Sequence, residues 1–291
     1  MSLNLAQFVS TVRVLDGAWG TELQSMGLPA GACPELWNVE NPDAVRAVAD
    51  SYVQAGSDVI ITNTFGANKF VLSQHGAENR VAELAESGAS ISRAAAGDEV
   101  KVFASIGPSG KVVMMQEVPQ EQLLQTFADA AGAVERGGAD AVVLETFNEL
   151  DEITLALQAV KSACRLPVVC SMTYTAGPDG TATVMGNRPE QLVEMAGKHG
   201  ADAVGANCGA GPEHYVKIVQ LYRQATDMPV WVKANAGMPT IVDGKTTFPL
   251  SPQQFAACVS DLASAGANFI GGCCGTGPEH IRAIREAVDG L

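Results

Sequence analysis

Three cysteines in two glycine-rich turns are the residues of this chain best suited to chemistry. Cys208 lies in Gly-Ala-Asn-Cys-Gly at 205–209, and Cys273 and Cys274 lie side by side in Gly-Gly-Cys-Cys-Gly at 271–275. Each turn follows a short apolar run and precedes an amphipathic one, which is typical of a strand leading into a helix. Thiolates suit zinc, and three of them leave one coordination position open. The turns therefore predict a reactive zinc site.

The remaining cysteines have a simpler interpretation. Free cysteine is often a small buried residue, and we expect that role for Cys33, Cys164, Cys170 and Cys258. A disulfide framework is disfavoured because the count of seven is odd, the chain is long and no basic-plus-apolar signal segment precedes the first strand. We expect a reducing compartment, and hence a cytoplasmic protein.

Eight short apolar runs alternate with eight helical patterns along the chain. The predicted strands are Val12–Asp16, Asp58–Asn63, Val100–Ile106, Ala141–Glu145, Pro167–Thr173, Ala203–Asn207, Val230–Asn235 and Asn268–Gly272. The predicted helices are Pro42–Ala55, Ala77–Ala95, Pro119–Gly137, Glu149–Ser162, Pro189–His199, Pro212–Thr226, Pro252–Ala265 and Pro278–Val288. Apolar strands alternating with helices indicate a parallel sheet buried on both faces.

This pattern predicts an α/β fold, a (β/α)8 TIM barrel forming a single domain over residues 1–291. An open, doubly wound sheet is the alternative. It is disfavoured because the glycines at residues 16–21 lack the spacing of a dinucleotide-binding turn.

Active sites of such barrels lie at the carboxyl ends of the strands. The ligand cysteines follow strands 6 and 8, and alternate strands point side chains into the same layer, so the three thiols are expected to converge. The other strand ends supply the predicted substrate contacts. These are Asp16, Gly17, Asn63, Glu145 and Asn235.

The carboxylates allow more than one interpretation. Glu145 and Asp16 are expected to hold an ammonium group of the substrate, although Asp16 could instead brace its own turn and Glu145 could pair with a neighbour in the barrel mouth. A glycosidase-type acid pair is a third possibility, but it leaves the three cysteines unexplained.

The composition of the chain argues against two classes of binding partner. The formal net charge of −14 argues against nucleic acid and against anionic membrane surfaces. The apolar runs are also too short to span a bilayer.

Three thiolates on Zn²⁺ give a centre with a net charge of about −1, which activates water poorly but suits a thiol substrate. The expected reaction is alkyl transfer to sulfur. Two alternatives stay open: a zinc-dependent hydrolase, for which no general base is evident, and a non-catalytic subunit that binds the thiol or zinc for a partner.

The chain resembles the homocysteine S-methyltransferase family, most closely the homocysteine-binding module of cobalamin-dependent methionine synthase. The likeness runs nearly end to end. It is carried by the segments at 16–21, 62–68, 107–108, 145–146, 205–209, 235–237 and 271–276.

The resemblance implies a zinc barrel that methylates homocysteine to methionine, with Cys208, Cys273 and Cys274 as zinc ligands. It further implies that Glu145 and the Asp16–Gly17 turn bind the amino-acid end of homocysteine. Asn235 would be a fourth zinc ligand that the substrate sulfur displaces.

Nothing in the chain reads as a corrinoid or folate site, and it stops after the first barrel. We therefore expect the methyl donor to be either a small onium compound, such as S-methylmethionine, S-adenosylmethionine or betaine, or a separate methyl-corrinoid protein.

Overall fold

A computed structural model describes residues 3–242 and 245–291 and contains a parallel barrel of eight strands. The barrel strands, in chain order, are β1 Arg13–Val14, β2 Val59–Ile61, β3 Lys101–Ile106, β4 Ala141–Phe147, β5 Val168–Met172, β6 Ala203–Asn207, β7 Val230–Ala234 and β8 Phe269–Gly272. Neighbouring strands pair in the order β1-β8-β7-β6-β5-β4-β3-β2, and a parallel bridge between Leu15 and Val59 brings β1 and β2 together. The predicted (β/α)8 fold is confirmed.

The outer helices follow the strands. They are α1 Pro42–Gln54, α2 Val81–Ala96, α3 Gln120–Arg136, α4 Leu150–Ala163, α5 Pro189–His199, α6 Pro212–Ala225, α7 Pro252–Ala256, α8 Val259–Ala265 and α9 Pro278–Asp289. The helix predicted over Pro252–Ala265 is thus two helices. A Ser251 capping box starts α7, and the chain turns at Ala257 and Cys258 before α8 begins.

Further short elements lie in the connections. Helices cover Leu5–Phe8, Trp19–Ser25, Trp37–Glu40 and Lys69–Ser73, 3-10 turns cover Pro34–Leu36 and Val113–Met115, and a hairpin joins Thr240–Val242 to Lys245–Thr247. The sequence pattern predicts no helix or strand in these segments. Among the described residues, no helix is both long and apolar enough to cross a bilayer.

Aromatic side chains near the strand starts fill the lower barrel. The rings of Phe103 and Trp231 stack with centroids 5.6 Å apart, and Phe269 packs against both. Since β3 lies across the barrel from β7 and β8, these contacts pass through its interior and close it with a packed core. A site is therefore expected at the carboxyl end of the barrel.

One contact is repeated at the amino ends of the strands, and we call it the strand-base clamp. Its acceptors are Asp58, Asp140, Asp202 and Asn268, which accept the backbone N–H groups of Val14, Val102, Val168 and Val230 at 2.7 to 2.9 Å. Each acceptor also accepts a hydrogen bond from a basic side chain of a helix. In the same order, these donors are Arg285, Arg93, Lys161 and Arg223. The clamp explains why Gly-(Ala/Ser)-(Asp/Asn) recurs before four strands.

Candidate metal and substrate site

The three predicted ligand cysteines converge above the barrel. Their Sγ atoms all lie within 4.8 Å of one another, and those of Cys208 and Cys274 are 3.9 Å apart. Cys208 adopts a left-handed φ of 63°, its N–H donates to the carbonyl of Lys233 at 2.9 Å, and the hydroxyl of Tyr215 donates to its carbonyl. This strained turn is therefore held from both sides.

The second turn is fixed in a similar way. The N–H of Cys273 donates to the carbonyl of Ala234 at 2.6 Å, and Thr276 Oγ1 donates to the carbonyl of Cys273 at 2.7 Å. Gly275 has a φ of 80°, and a Cβ there would come within 2.2 Å of the Phe248 ring. Only glycine satisfies both demands, which accounts for the Cys-Cys-Gly sequence.

The donor set fits zinc. Hydrogen bonds from Cys273 and Cys274 lower the pKa of the Cys208 thiol to about 3, and the same contacts raise the pKa values of Cys273 and Cys274. One thiolate thus shares the protons of two thiols. Three thiolates at this spacing would repel one another, so a bound divalent cation is what would let all three ionise together.

Asn235 lies beside the cysteines and has an unusual environment. Its side chain is buried and contributes a hydrogen bond that lowers the pKa of Cys208. Its Oδ1 has no hydrogen-bond partner among the described residues. A buried acceptor without a partner is rare, and it fits the fourth-ligand role that the resemblance implied.

Glu145 reaches the same pocket from the end of β4. It is 4% exposed, and Ser105 Oγ donates to its Oε1 at 2.5 Å. Burial raises the pKa of this carboxyl, and the charge of Lys233 and the Ser105 hydrogen bond oppose that rise. A ligand ammonium group near Glu145 would offset the cost of burying its charge.

Asp16, predicted as a substrate contact or as a brace of its own turn, lies beneath the pocket. Asp16 is fully buried and does not line the pocket. Its carboxylate accepts from Lys233 Nζ at 2.5 Å, Trp19 Nε1 at 2.7 Å and the N–H of Ile61 at 2.7 Å. With both oxygens engaged inside the protein, Asp16 holds Lys233, and its predicted contact with the substrate ammonium group stays a prediction.

Sequence reasoning missed Lys233. It is 1% exposed in β7 and lines the pocket. Burial lowers its pKa, but the charges of Asp16 and Glu145 outweigh that effect and the pKa of Lys233 is raised, so it is cationic. The available signal was a lone lysine inside the apolar run Val-Trp-Val-Lys-Ala at 230–234.

The pocket between these groups has a volume of about 440 Å³. Gly17 lines it, and a Cβ there would come 2.8 Å from Tyr52 Oη, so the chain needs glycine at this turn. Asn63 also lines it, but its amide donates to the carbonyl of Pro34 and to Asn38 Oδ1, both at 2.8 Å. Asn63 therefore braces the connection after β1.

The four remaining cysteines lie apart from this site. Cys33, Cys164, Cys170 and Cys258 are free and buried, as predicted.

Comparison with known families defines the class of protein to which this barrel and its thiol cluster belong. The homocysteine S-methyltransferase family model matches residues 13–288. The chain belongs to this family.

Two curated relatives are methionine synthases. The one from Mycobacterium tuberculosis is 30% identical over 297 residues, which cover 95% of this chain and 24% of that protein. The one from Mycobacterium leprae is also 30% identical, over 98% of this chain and 25% of its own length. The chain thus spans about a quarter of these relatives.

Solved structures share the fold. The metallated form of the Escherichia coli homocysteine methyltransferase MmuM superposes with a TM-score of 0.79 at 23% identity, covering 98% of this chain and 99% of that one. A methyltransferase from Methanosarcina mazei gives a TM-score of 0.60 at 13% identity, covering 97% and 94%.

Proposed function

We propose that this chain is a zinc-dependent homocysteine S-methyltransferase that forms methionine. The observation that carries the proposal is the cluster of three thiols, within 4.8 Å of one another, on the wall of a pocket that also contains Glu145. Membership of the homocysteine S-methyltransferase family supports the same reaction. The metallated E. coli relative supports a metal in the cluster.

Each part of the pocket has a distinct task in this proposal. Cys208, Cys273 and Cys274 would hold zinc, which when bound would keep a thiol in its nucleophilic thiolate form near neutral pH. Glu145 would receive the ammonium group of homocysteine. Lys233 adds a positive charge to the same wall, so the pocket presents both an acidic and a basic group to a zwitterionic amino acid.

A zinc hydrolase receives less support from the pocket. Such an enzyme needs a free general base beside the metal. Of the two carboxylates that line the pocket among the described residues, Glu35 is committed to the N–H of Gly66 at 2.6 Å and to the Cys33 thiol at 3.1 Å. The other, Glu145, is buried and bonded to Ser105. A non-catalytic binding subunit would retain zinc and homocysteine but form no methionine.

The methyl donor is proposed to be a methyl-corrinoid protein. Apart from Leu291, the exposed large apolar side chains of the described residues lie in connections that follow strand carboxyl ends. They are Met26, Val39, Phe65, Met114, Met115, Val184, Met185, Met238 and Ile241. We call this set the apolar rim, and one member, Phe65, lines the pocket. An apolar rim suits docking of a protein better than capture of a small cation.

The reducing cytoplasm is the proposed compartment, because thiol ligands would be lost by oxidation elsewhere.

A donor screen tests the proposal. The purified protein is incubated with zinc, homocysteine and either a methyl-corrinoid protein or one of the small onium donors, and methionine is measured. We expect methionine from the protein donor, none with Cys208→Ser, and a lower rate with Met114→Ser/Met115→Ser. Methionine from an onium donor alone would reject the protein donor but keep the reaction. No methionine from any donor would leave the binding-subunit alternative.

A further inference from the structure

The backbone next to Glu145 is strained. Thr146 has a φ of 67°, and only Gln116 and Cys208 share a positive φ among the non-glycine residues that the structure describes. A β-branched residue is especially unfavourable in this conformation. Such strain persists only where the surroundings hold it.

The strain coincides with a β-bulge. Leu144 pairs with Cys170 and Phe147 pairs with Met172, so three steps along β4 match two steps along β5. An extra residue in a strand changes the face on which the following side chains emerge. The bulge contains Glu145 and Thr146, and both line the pocket.

The side chain of Asn207, the last residue of β6, forms hydrogen bonds with this bulge. Its Oδ1 accepts the N–H of Thr146 at 2.9 Å and the hydroxyl of Ser171 at 2.6 Å, and its Nδ2 donates to Thr146 Oγ1 at 2.7 Å. The side chain is fully buried. One amide therefore links β4, β5 and β6, and it belongs to the residue immediately before Cys208.

We infer that Asn207 is a positioning residue. Its amide holds the Thr146 bulge so that Glu145 faces the place beside the three cysteines where the sulfur of the substrate would bind. The inference rests on the proposed function only in taking homocysteine as the ligand. Its geometric content, that Asn207 determines the conformation at Thr146, stands independently. By joining the cysteine strand to the carboxylate strand, Asn207 fixes the distance between the two ends of a bound amino-acid thiol.

The test compares two ligands and a rescue variant. Homocysteine and 4-mercaptobutanoate, which lacks the ammonium group, are titrated calorimetrically into the zinc-loaded protein. Asn207→Ala should weaken homocysteine binding by about tenfold, the effect of one lost charge-assisted contact, and should leave 4-mercaptobutanoate binding and zinc content unchanged. Asn148→Ala is the matched control, because Asn148 Nδ2 also contacts Thr146, at 3.3 Å from its carbonyl, without joining other strands.

A second substitution distinguishes a positioning role of Asn207 from a general loss of structure. Glycine adopts the left-handed conformation freely, so Asn207→Ala/Thr146→Gly should recover most of the homocysteine affinity. Equal weakening of both ligands, loss of zinc, or absence of rescue would overturn the inference.

A crystal structure of Asn207→Ala checks the same point without any ligand. A positive φ retained at Thr146, with Glu145 unmoved, would also overturn the inference. If the wild-type protein binds no homocysteine, the proposed function fails, and this structure still decides the role of Asn207.

Discussion

At the amino ends of the barrel strands one contact occurs four times, whereas at the carboxyl ends nearly every strand contributes a different side chain. The strand-base clamps all combine a strand-preceding Asp or Asn, a backbone N–H and a basic helix residue. The pocket instead combines single contributions, such as Ser105 from β3, Glu145 from β4 and Lys233 from β7. The cysteine turns after β6 and β8 do resemble each other, as Cys-Gly-Ala-Gly-Pro-Glu-His at 208–214 and Cys-Gly-Thr-Gly-Pro-Glu-His at 274–280.

The amino ends of the strands serve stability, whereas the carboxyl ends carry the groups suited to chemistry. Each clamp satisfies a backbone N–H group, and the three aspartate clamps also pair a carboxylate with a basic side chain, so few polar groups at the lower end are left without a partner. The upper end instead contains a strained Cys208, an Asn235 oxygen with no hydrogen-bond partner in the described part of the chain, and the carboxylates of Asp16 and Glu145 buried with Lys233. We therefore expect substitutions at the carboxyl ends of the strands to change ligand binding. Substitutions at the amino ends should change the stability of the fold.

The largest effect is expected at the metal. The wild-type protein should bind one zinc ion per chain, and Cys273→Ser/Cys274→Ser should lose it because two of three thiolate ligands are removed. Zinc content after dialysis, measured by plasma emission spectrometry, reports the result. Cys33→Ser and Cys258→Ser are controls that should retain full occupancy. Zinc retained at full stoichiometry by the double variant would mean that the metal lies elsewhere.

The next effect concerns the carboxylate. Glu145→Ala should weaken homocysteine binding by about 1.5–3 kcal/mol through loss of a charge-assisted contact, while zinc stays bound. Since burial raises the pKa of Glu145, its charged form is lost as pH falls through that raised value. Wild-type affinity should therefore fall on the acid side, and Glu145→Gln should show a flatter profile by calorimetry. If affinity depended on pH identically in both proteins, the fall in affinity at low pH would belong to another group.

A smaller effect is expected at the lower end. Asp140→Ala removes the acceptor of the Val102 N–H and the partner of Arg93, and should lower the free energy of unfolding by about 1–3 kcal/mol. Asp140→Asn should cost less, because Asn268 already serves as the amide version of this clamp. Urea unfolding measures both, and neither variant should change zinc content. A loss of zinc here would break the proposed separation of the two ends.

Much of the fold could be predicted because its signals are local. β6 and α5 have the predicted bounds, and α5 begins at Pro189 and ends just before Gly200. The cysteine cluster was predictable because barrel topology brings strands 6 and 8 to one layer.

The Asp16–Lys233 pair could not be found in this way. Its members are 217 residues apart, and each residue type alone has several possible roles. The Thr146 bulge was equally hidden, because no residue in Leu-Glu-Thr-Phe at 144–147 favours a left-handed backbone.

The smallest effect is expected from removing zinc. The ligands lie on turns above a barrel whose core is packed by Phe103, Trp231 and Phe269 and whose lower end is tied by the clamps. Metal binding therefore contributes local order at the mouth and not the folding of the chain, unlike a zinc finger. Far-ultraviolet circular dichroism after chelation should remain close to that of the zinc-loaded protein, with a modest decrease in melting temperature. Loss of most of the helical signal would show that the two ends of the barrel fold as one metal-dependent unit.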